Sequence, residues 1–166
     1  MDPIVYTYYE RLSHNPEDAE ALALLWDHHG TRGEFQQLAT LAEQVAARRM
    51  DPRSGADLFY RAGELWAKNV GRPDKAVACY LKAAELDPSQ QLAIGAARDI
   101  YVQLGNHRQA AQLLDRQIAA TADPLVRGML LREGMTLRAQ AGDIAGQLAY
   151  LEEILAMSPN DWEMMR

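Results

Sequence analysis

Apolar residues recur along this chain at helical spacing, and the recurrence is interrupted at regular intervals. Between residues 89 and 124, Ile94, Ala97, Tyr101 and Leu104 fall at i, i+3, i+7 and i+10, one stripe of one helix. Gly105-Asn106 stops it, and Ala110, Leu113, Leu114, Gln117 and Ile118 begin a second stripe. The other intervals repeat the plan. Leu22, Leu25, Trp26 and His29 precede Leu38, Leu41, Ala42 and Val45. Phe59, Ala62, Leu65 and Trp66 precede Ala76, Val77, Tyr80, Ala83 and Ala84, and Leu131, Gly134, Met135 and Arg138 precede Leu148, Leu151 and Ile154. The pattern predicts helices over 3–14, 18–30, 34–49, 55–70, 73–86, 89–104, 107–120, 125–141, 144–157 and 160–166. No stretch sustains period-two alternation, so no sheet is expected.

The breaks are themselves periodic. Pro16, Pro52, Pro88, Pro124 and Pro159 are separated by 36, 36, 36 and 35 residues, each behind a capping or turn-forming residue: Asn15, Asp51, Asp87, Asp123 or Ser158. A glycine lies near the middle of each interval, at Gly33, Gly71, Gly105 and Gly142. Proline disfavours the helical conformation in the residue before it, so each is expected to close a unit. Turns of two to four residues force neighbouring helices antiparallel, and two short helices bury their apolar faces only by stacking on further pairs. The expected fold is all-α: an α-solenoid of stacked antiparallel helix pairs. Residues 3–14 form an N-terminal capping helix, with Val5, Tyr8, Tyr9 and Leu12 on its apolar side. Four repeats follow over 17–52, 53–88, 89–124 and 125–159, with the truncated start of a further helix at 160–166. That last segment, with Trp162 and Met165, suggests a piece of a longer protein.

These residues resemble the tetratricopeptide repeat, a helix-turn-helix unit whose second helix carries an alanine, an aromatic and a second alanine before a proline. The interval 53–88 fits best, with Phe59, Ala62-Gly63, Trp66, Ala76, Tyr80, Ala83 and Pro88; the next offers Ile94, Ala97, Tyr101, Gly105, Ala110 and Leu114. Leu38 and Gln147 replace the first alanine in the outer repeats, Gln117 the second alanine in the third, and Arg138 stands where an aromatic is expected. The resemblance implies a right-handed superhelix and a non-catalytic interaction module.

Composition narrows the classes of function. The net charge of −6 disfavours nucleic-acid and membrane-surface binding, both of which need clustered Lys and Arg. No apolar run approaches the roughly 20 residues that span a bilayer. One cysteine, Cys79, excludes an intrachain disulfide and fits a reducing, cytoplasmic compartment, where it serves as a small buried apolar residue. The ratio of 14 Arg to 3 Lys hints at a bacterial source.

No phosphate-binding glycine loop, nucleophile elbow or H-E-x-x-H pair is present, so no catalytic residue and no cofactor are expected. Asp27-His28-His29 is the nearest approach to a metal cluster. Adjacent helical residues point about 100° apart, so the two rings are not expected to chelate one ion, and His29 is read as packing. Trp26, Trp66, Tyr80 and Tyr101 fall on packing stripes without a basic groove beside them, which favours core over base stacking.

In the family, first helices line a concave groove that holds peptides or partner helices. Carried onto this chain, the groove positions include Asp27, Tyr60, Arg61, Glu64, Lys68, Leu92, Asp99, Gln103, Arg132 and Thr136. One offset reads Asp27, Glu64, Asp99 and Thr136 across the repeats. The Lys and Asn clamp of the chaperone-binding subset is not reproduced. An acidic row favours a protein or peptide partner with basic residues in the contacting segment. Self-association through terminal helix faces is a further expectation. The alternatives are a regulatory or targeting segment of a larger enzyme and, behind it, a helical-repeat RNA binder.

Overall fold

The computed structural model describes residues 3–157, and all regular structure among them is helical. The chain forms α1 (Pro3–His14), α2 (Ala19–Thr31), α3 (Phe35–Ala46) and α4 (Pro52–Glu64), which runs on into a π-helical turn, Leu65–Val70. It continues with α5 (Pro73–Leu86), α6 (Gln91–Gln103), α7 (His107–Ala120), α8 (Pro124–Gln140) and α9 (Ile144–Met157). The helix expected at 160–166 lies outside the described residues. The chain packs as two compact units, Met1–Ala93 and Ile94–Arg166.

The helix ends follow from the punctuation, with one correction. Pro52 and Pro124 open α4 and α8 rather than merely closing the preceding unit. Proline costs nothing at a first helical position, where its missing N–H would have had no helical partner. The side chains of Asp51 and Asp123 accept hydrogen bonds from the backbone N–H groups of Arg53 and Ser54, and of Leu125 and Val126. Helix α4 therefore starts three residues earlier than the apolar stripe indicates. Asp18 caps α2 through the Ala21 N–H in the same way.

Gly33, Gly71, Gly105 and Gly142 all have φ of 70–72°, a left-handed conformation costly for any residue with a Cβ. Three of these turns share one closure: Glu34, Asn106 and Asp143 donate to the carbonyls of His29, Tyr101 and Arg138. In the fourth, Arg72 N–H reaches Trp66 O across one residue more, at 2.8 Å. The π-helical turn absorbs that extra residue and keeps Trp66, 4% exposed, on the inner face.

In the first unit α3 packs on α4 and α4 on α5. Its core includes Leu25, Leu38, Leu41, Leu58, Phe59, Trp66 and Tyr80. Leu38 and Ala39 are both buried, so the leucine in place of the family's alanine is accommodated. Helix α1 lies on α2 through Val5 and Leu12, and Arg48 donates to the Leu12 and Ser13 carbonyls at its end. Tyr80 seats on Gly63, where an added Cβ would stand 2.6 Å from the ring. Burial pushes the Cys79 thiol up to about 12, with the Glu43 carboxylate adding to the shift, so it stays protonated.

In the second unit Ala110, Ala111, Leu114, Ile118, Leu131, Leu137 and Tyr150 form one cluster, with Tyr101, Met135 and Ile154 packed against it. Two expectations are corrected here. Leu104 is 51% exposed and Ile100 takes the buried position on α6. On α9 the buried residue is Tyr150, while Leu148 is 54% exposed and Leu151 and Ile154 are half-buried. Gly134 is the reason, since a Cβ there would fall 2.3 Å from the Tyr150 ring. The polar residues at family apolar positions, Gln117 and Arg138, each have polar partners. Arg98 donates to Gln117 at 2.8 Å and lies 3.5 Å from Glu133, and Arg138 binds Asp115 and Asp143 with its guanidinium 4.8 Å from the Tyr150 ring centre.

Candidate functional site

In the first unit, Asp27 lies on α2, and Tyr60, Arg61 and Glu64 lie in the last two turns of α4, with Lys68 in the π-helical turn. Asp27, Arg61 and Lys68 are exposed, and Tyr60 and Glu64 are half-buried. Leu92, at the start of α6, is 73% exposed. In the second unit, Asp99 and Gln103 on α6 and Arg132 and Thr136 on α8 are all exposed.

The structure brings Asp27 and Arg61 to the same cleft. It lies between α2 and α4 and has a volume of about 510 Å³. Leu22, Ala23 and Leu58 give it apolar surface; Asp27, Asp57, Arg49 and Arg61 give it both signs of charge. Arg61 crosses this space to lie over Trp26, its guanidinium carbon 3.7 Å from the ring centre. Trp26, assigned by its spacing to the core, is half-buried and forms a wall of the cleft. Burial against that ring holds Arg61 below the usual arginine value, and the like charge of Arg49 adds to the effect while Asp57 opposes it. Arg61 makes no ion pair among the described residues, and neither does Asp27.

The remaining charges are partly occupied. Glu64 pairs with Lys68 at 2.5 Å, one helical turn away, and Asp99 pairs with its neighbour Arg98 at 3.1 Å. Asp57 accepts from the Gln90 side chain at 2.9 Å. Such exposed pairs contribute about 0–1 kcal/mol, so an incoming cation can exchange with them at little cost. Tyr60 leans on Tyr80 with ring centres 5.4 Å apart, which fixes the direction of its exposed edge. Arg49 escaped sequence reasoning. It sits in the link between α3 and α4, outside any stripe, held by Glu17 at 3.5 Å and by Ser54. No helix among the described residues is long and apolar enough to cross a membrane.

Two family models, each described as a tetratricopeptide repeat, match residues 56–90 and 93–127. No curated protein matches the sequence. Among solved structures, the chain is similar to two crystal structures of MamA. One has a TM-score of 0.55 at 16% identity, covering 96% of this chain and 83% of that one. The other has a TM-score of 0.56 at 15% identity, covering 96% and 89%. It is also similar to a tetratricopeptide repeat protein from Parabacteroides merdae, with a TM-score of 0.52 at 17% identity over 95% of this chain and 60% of that one. At these identities the likeness is one of fold.

Proposed function

Because the chain belongs to the tetratricopeptide repeat family, we propose that it is a non-catalytic scaffold that holds a peptide or partner helix against its first-helix faces. The observation that carries this reading is the cleft between α2 and α4, open to solvent and combining apolar wall with charge. A space of about 510 Å³ suits one or two side chains of a docked segment, not a whole folded partner. Trp26, Leu22 and Leu58 would take an apolar side chain, and Tyr60 and Leu92 are further anchors. Asp27 and Glu64 in the first unit, and Asp99 in the second, each favour Lys or Arg in a segment docked there, setting choice and rate more than affinity. Within the second unit, Gln103, Arg132 and Thr136 are exposed on first helices of their own, and in the first unit Arg61 and Lys68 fix the polarity of the segment by their opposite charge. The buried, protonated Cys79 suits a reducing cytoplasm.

Selection from a displayed random peptide library tests this. Wild-type chain should enrich segments that combine an apolar residue with Lys or Arg. An Asp27→Arg, Glu64→Arg variant, with unchanged helicity, should lose those segments by tenfold or more. Recovery of the same peptides by both proteins would remove the proposal.

A further inference from the structure

The end of α2 carries side chains that peptide binding does not use. His29 is 6% exposed. Its Nε2 lies 2.5 Å from the Tyr9 hydroxyl and its Nδ1 2.6 Å from Glu34 Oε2. His28 stands edge-on to it, with ring centres 5.2 Å apart and planes at 84°. One donor atom from each of His28, His29 and Glu34 lies within 4.8 Å of the other two. The divergence of adjacent helical side chains, which argued against a shared ion, does not keep the two rings apart, and the turn brings in a third donor. Gly33 at φ 70° reverses the chain, Glu34 N–H closes on His29 O at 2.9 Å, and the Glu34 carboxylate returns over the helix end.

We propose that His28, His29 and Glu34 form a binding site for a divalent transition-metal ion, with zinc the best match, which fastens the end of α2 to the turn before α3. Two imidazoles and one carboxylate are the donor set of zinc and its neighbours, whereas magnesium and calcium require oxygen ligands. Metal–donor bonds of about 2.0–2.1 Å in a tetrahedral site place neighbouring donors about 3.4 Å apart. On binding, the 2.6 Å contact between His29 Nδ1 and Glu34 Oε2 opens by about 0.8 Å, and donors at the 4.8 Å limit close by about 1.4 Å. His28 and Glu34 are half-buried and can rotate; His29 is packed in place and Tyr9 holds its far edge.

The hydrogen bonds accommodate the ion without a net change in protons. In the tautomer that carries its proton on Nδ1, Tyr9 O–H donates to Nε2 and Nδ1–H donates to Glu34. With Nδ1 on the metal, the ring proton moves to Nε2–H and donates to the Tyr9 oxygen. Such an outer partner fixes the tautomer and orientation of a ligating imidazole. Arg32 lies 3.3 Å from Glu34 Oε1 and opposes the ion, but its side chain is 62% exposed and free to swing into solvent. A fourth position stays open to water.

Titration of the tag-free chain with Zn2+, followed by calorimetry, and with Co2+, followed by visible absorption, tests the site. The expected result is one ion per chain, with the d–d bands of a low-coordinate Co2+ complex. His28→Ala and Glu34→Gln should each weaken binding by at least tenfold, and Tyr9→Phe by roughly tenfold. Glu34→Gln keeps an acceptor for His29, and circular dichroism of the metal-free variants shows that they fold. His14→Ala and His107→Ala should bind as wild type does. The proposal is overturned if no ion binds at concentrations up to about 1 mM, or if binding survives His28→Ala and Glu34→Gln.

Discussion

Tyr80 on Gly63 and Tyr150 on Gly134 make the same contact, an aromatic ring seated where a glycine leaves the space of a side chain. Gly63→Ala or Gly134→Ala should each destabilise the protein by about 1–3 kcal/mol through overpacking, and Tyr80→Ala by about 3–5 kcal/mol through the cavity it leaves. Denaturant melts of the variants check both. The burial of Tyr80 was legible, because that ring stands at the family position in the best-matching repeat, though its seat on Gly63 was not. The Tyr150 contact was not. Leu148, Leu151, Ile154 and Leu155 offer several apolar stripes on α9, and periodicity has no means of choosing between them. The deciding signal lay on the facing helix, in the missing side chain of Gly134.

Carboxylates on the same scale set the acid response. The Arg72 guanidinium holds Asp74 down to about 2; Asp18 is lowered chiefly by Arg11, Glu34 by the His29 hydrogen bond, and Asp143 by the Gly146 N–H and then Arg138. A depressed folded-state pKa means stability that is complete above the unfolded value, about 4, and lost as pH falls through the folded one. Thermal melts should therefore weaken progressively from about pH 4 toward pH 2. Asp18→Asn combined with Asp143→Asn should flatten that limb, and an undiminished acid dependence would show that other groups set it.

At the scale of the element, helix boundaries were read closely because capping and turn chemistry repeat four times. Asp51→Ala and Asp123→Ala should each cost about 1 kcal/mol, since each aspartate satisfies N–H groups at the start of α4 or α8. Urea denaturation measures it, and Asn in place of either aspartate should restore most of the loss. What the spacing left unread was the π-helical turn. Trp66 and Gly71 are five residues apart where His29–Gly33, Tyr101–Gly105 and Arg138–Gly142 are four. One surplus residue is a visible signal, but it can be absorbed by a longer loop or by a wider helical turn. Only the packing of Trp66, whose indole N–H donates to Glu43 at 2.5 Å, selects the second.

On the scale of the whole molecule, fold class was legible from period and punctuation, and the candidate site was legible in part. Asp27 and Arg61 meet in one cleft, and Glu64 is exposed enough to contribute. Trp26 as a wall and Arg49 in a link were not foreseen, because a stripe residue looks like core and a link residue carries no pattern. Charges at exposed positions likewise do not reveal their partners, as the Glu64–Lys68 and Asp99–Arg98 pairs show. The proposed binding face is defined by a shared position on successive first helices, so its test is one of location. The most direct measurement is backbone amide chemical-shift mapping of the isotope-labelled chain during titration with a selected Lys- or Arg-bearing peptide. Saturable shifts should concentrate on α2 and α4 around Asp27, Tyr60, Arg61 and Glu64. Shifts confined to the second helices α3, α5 and α7 would contradict the account.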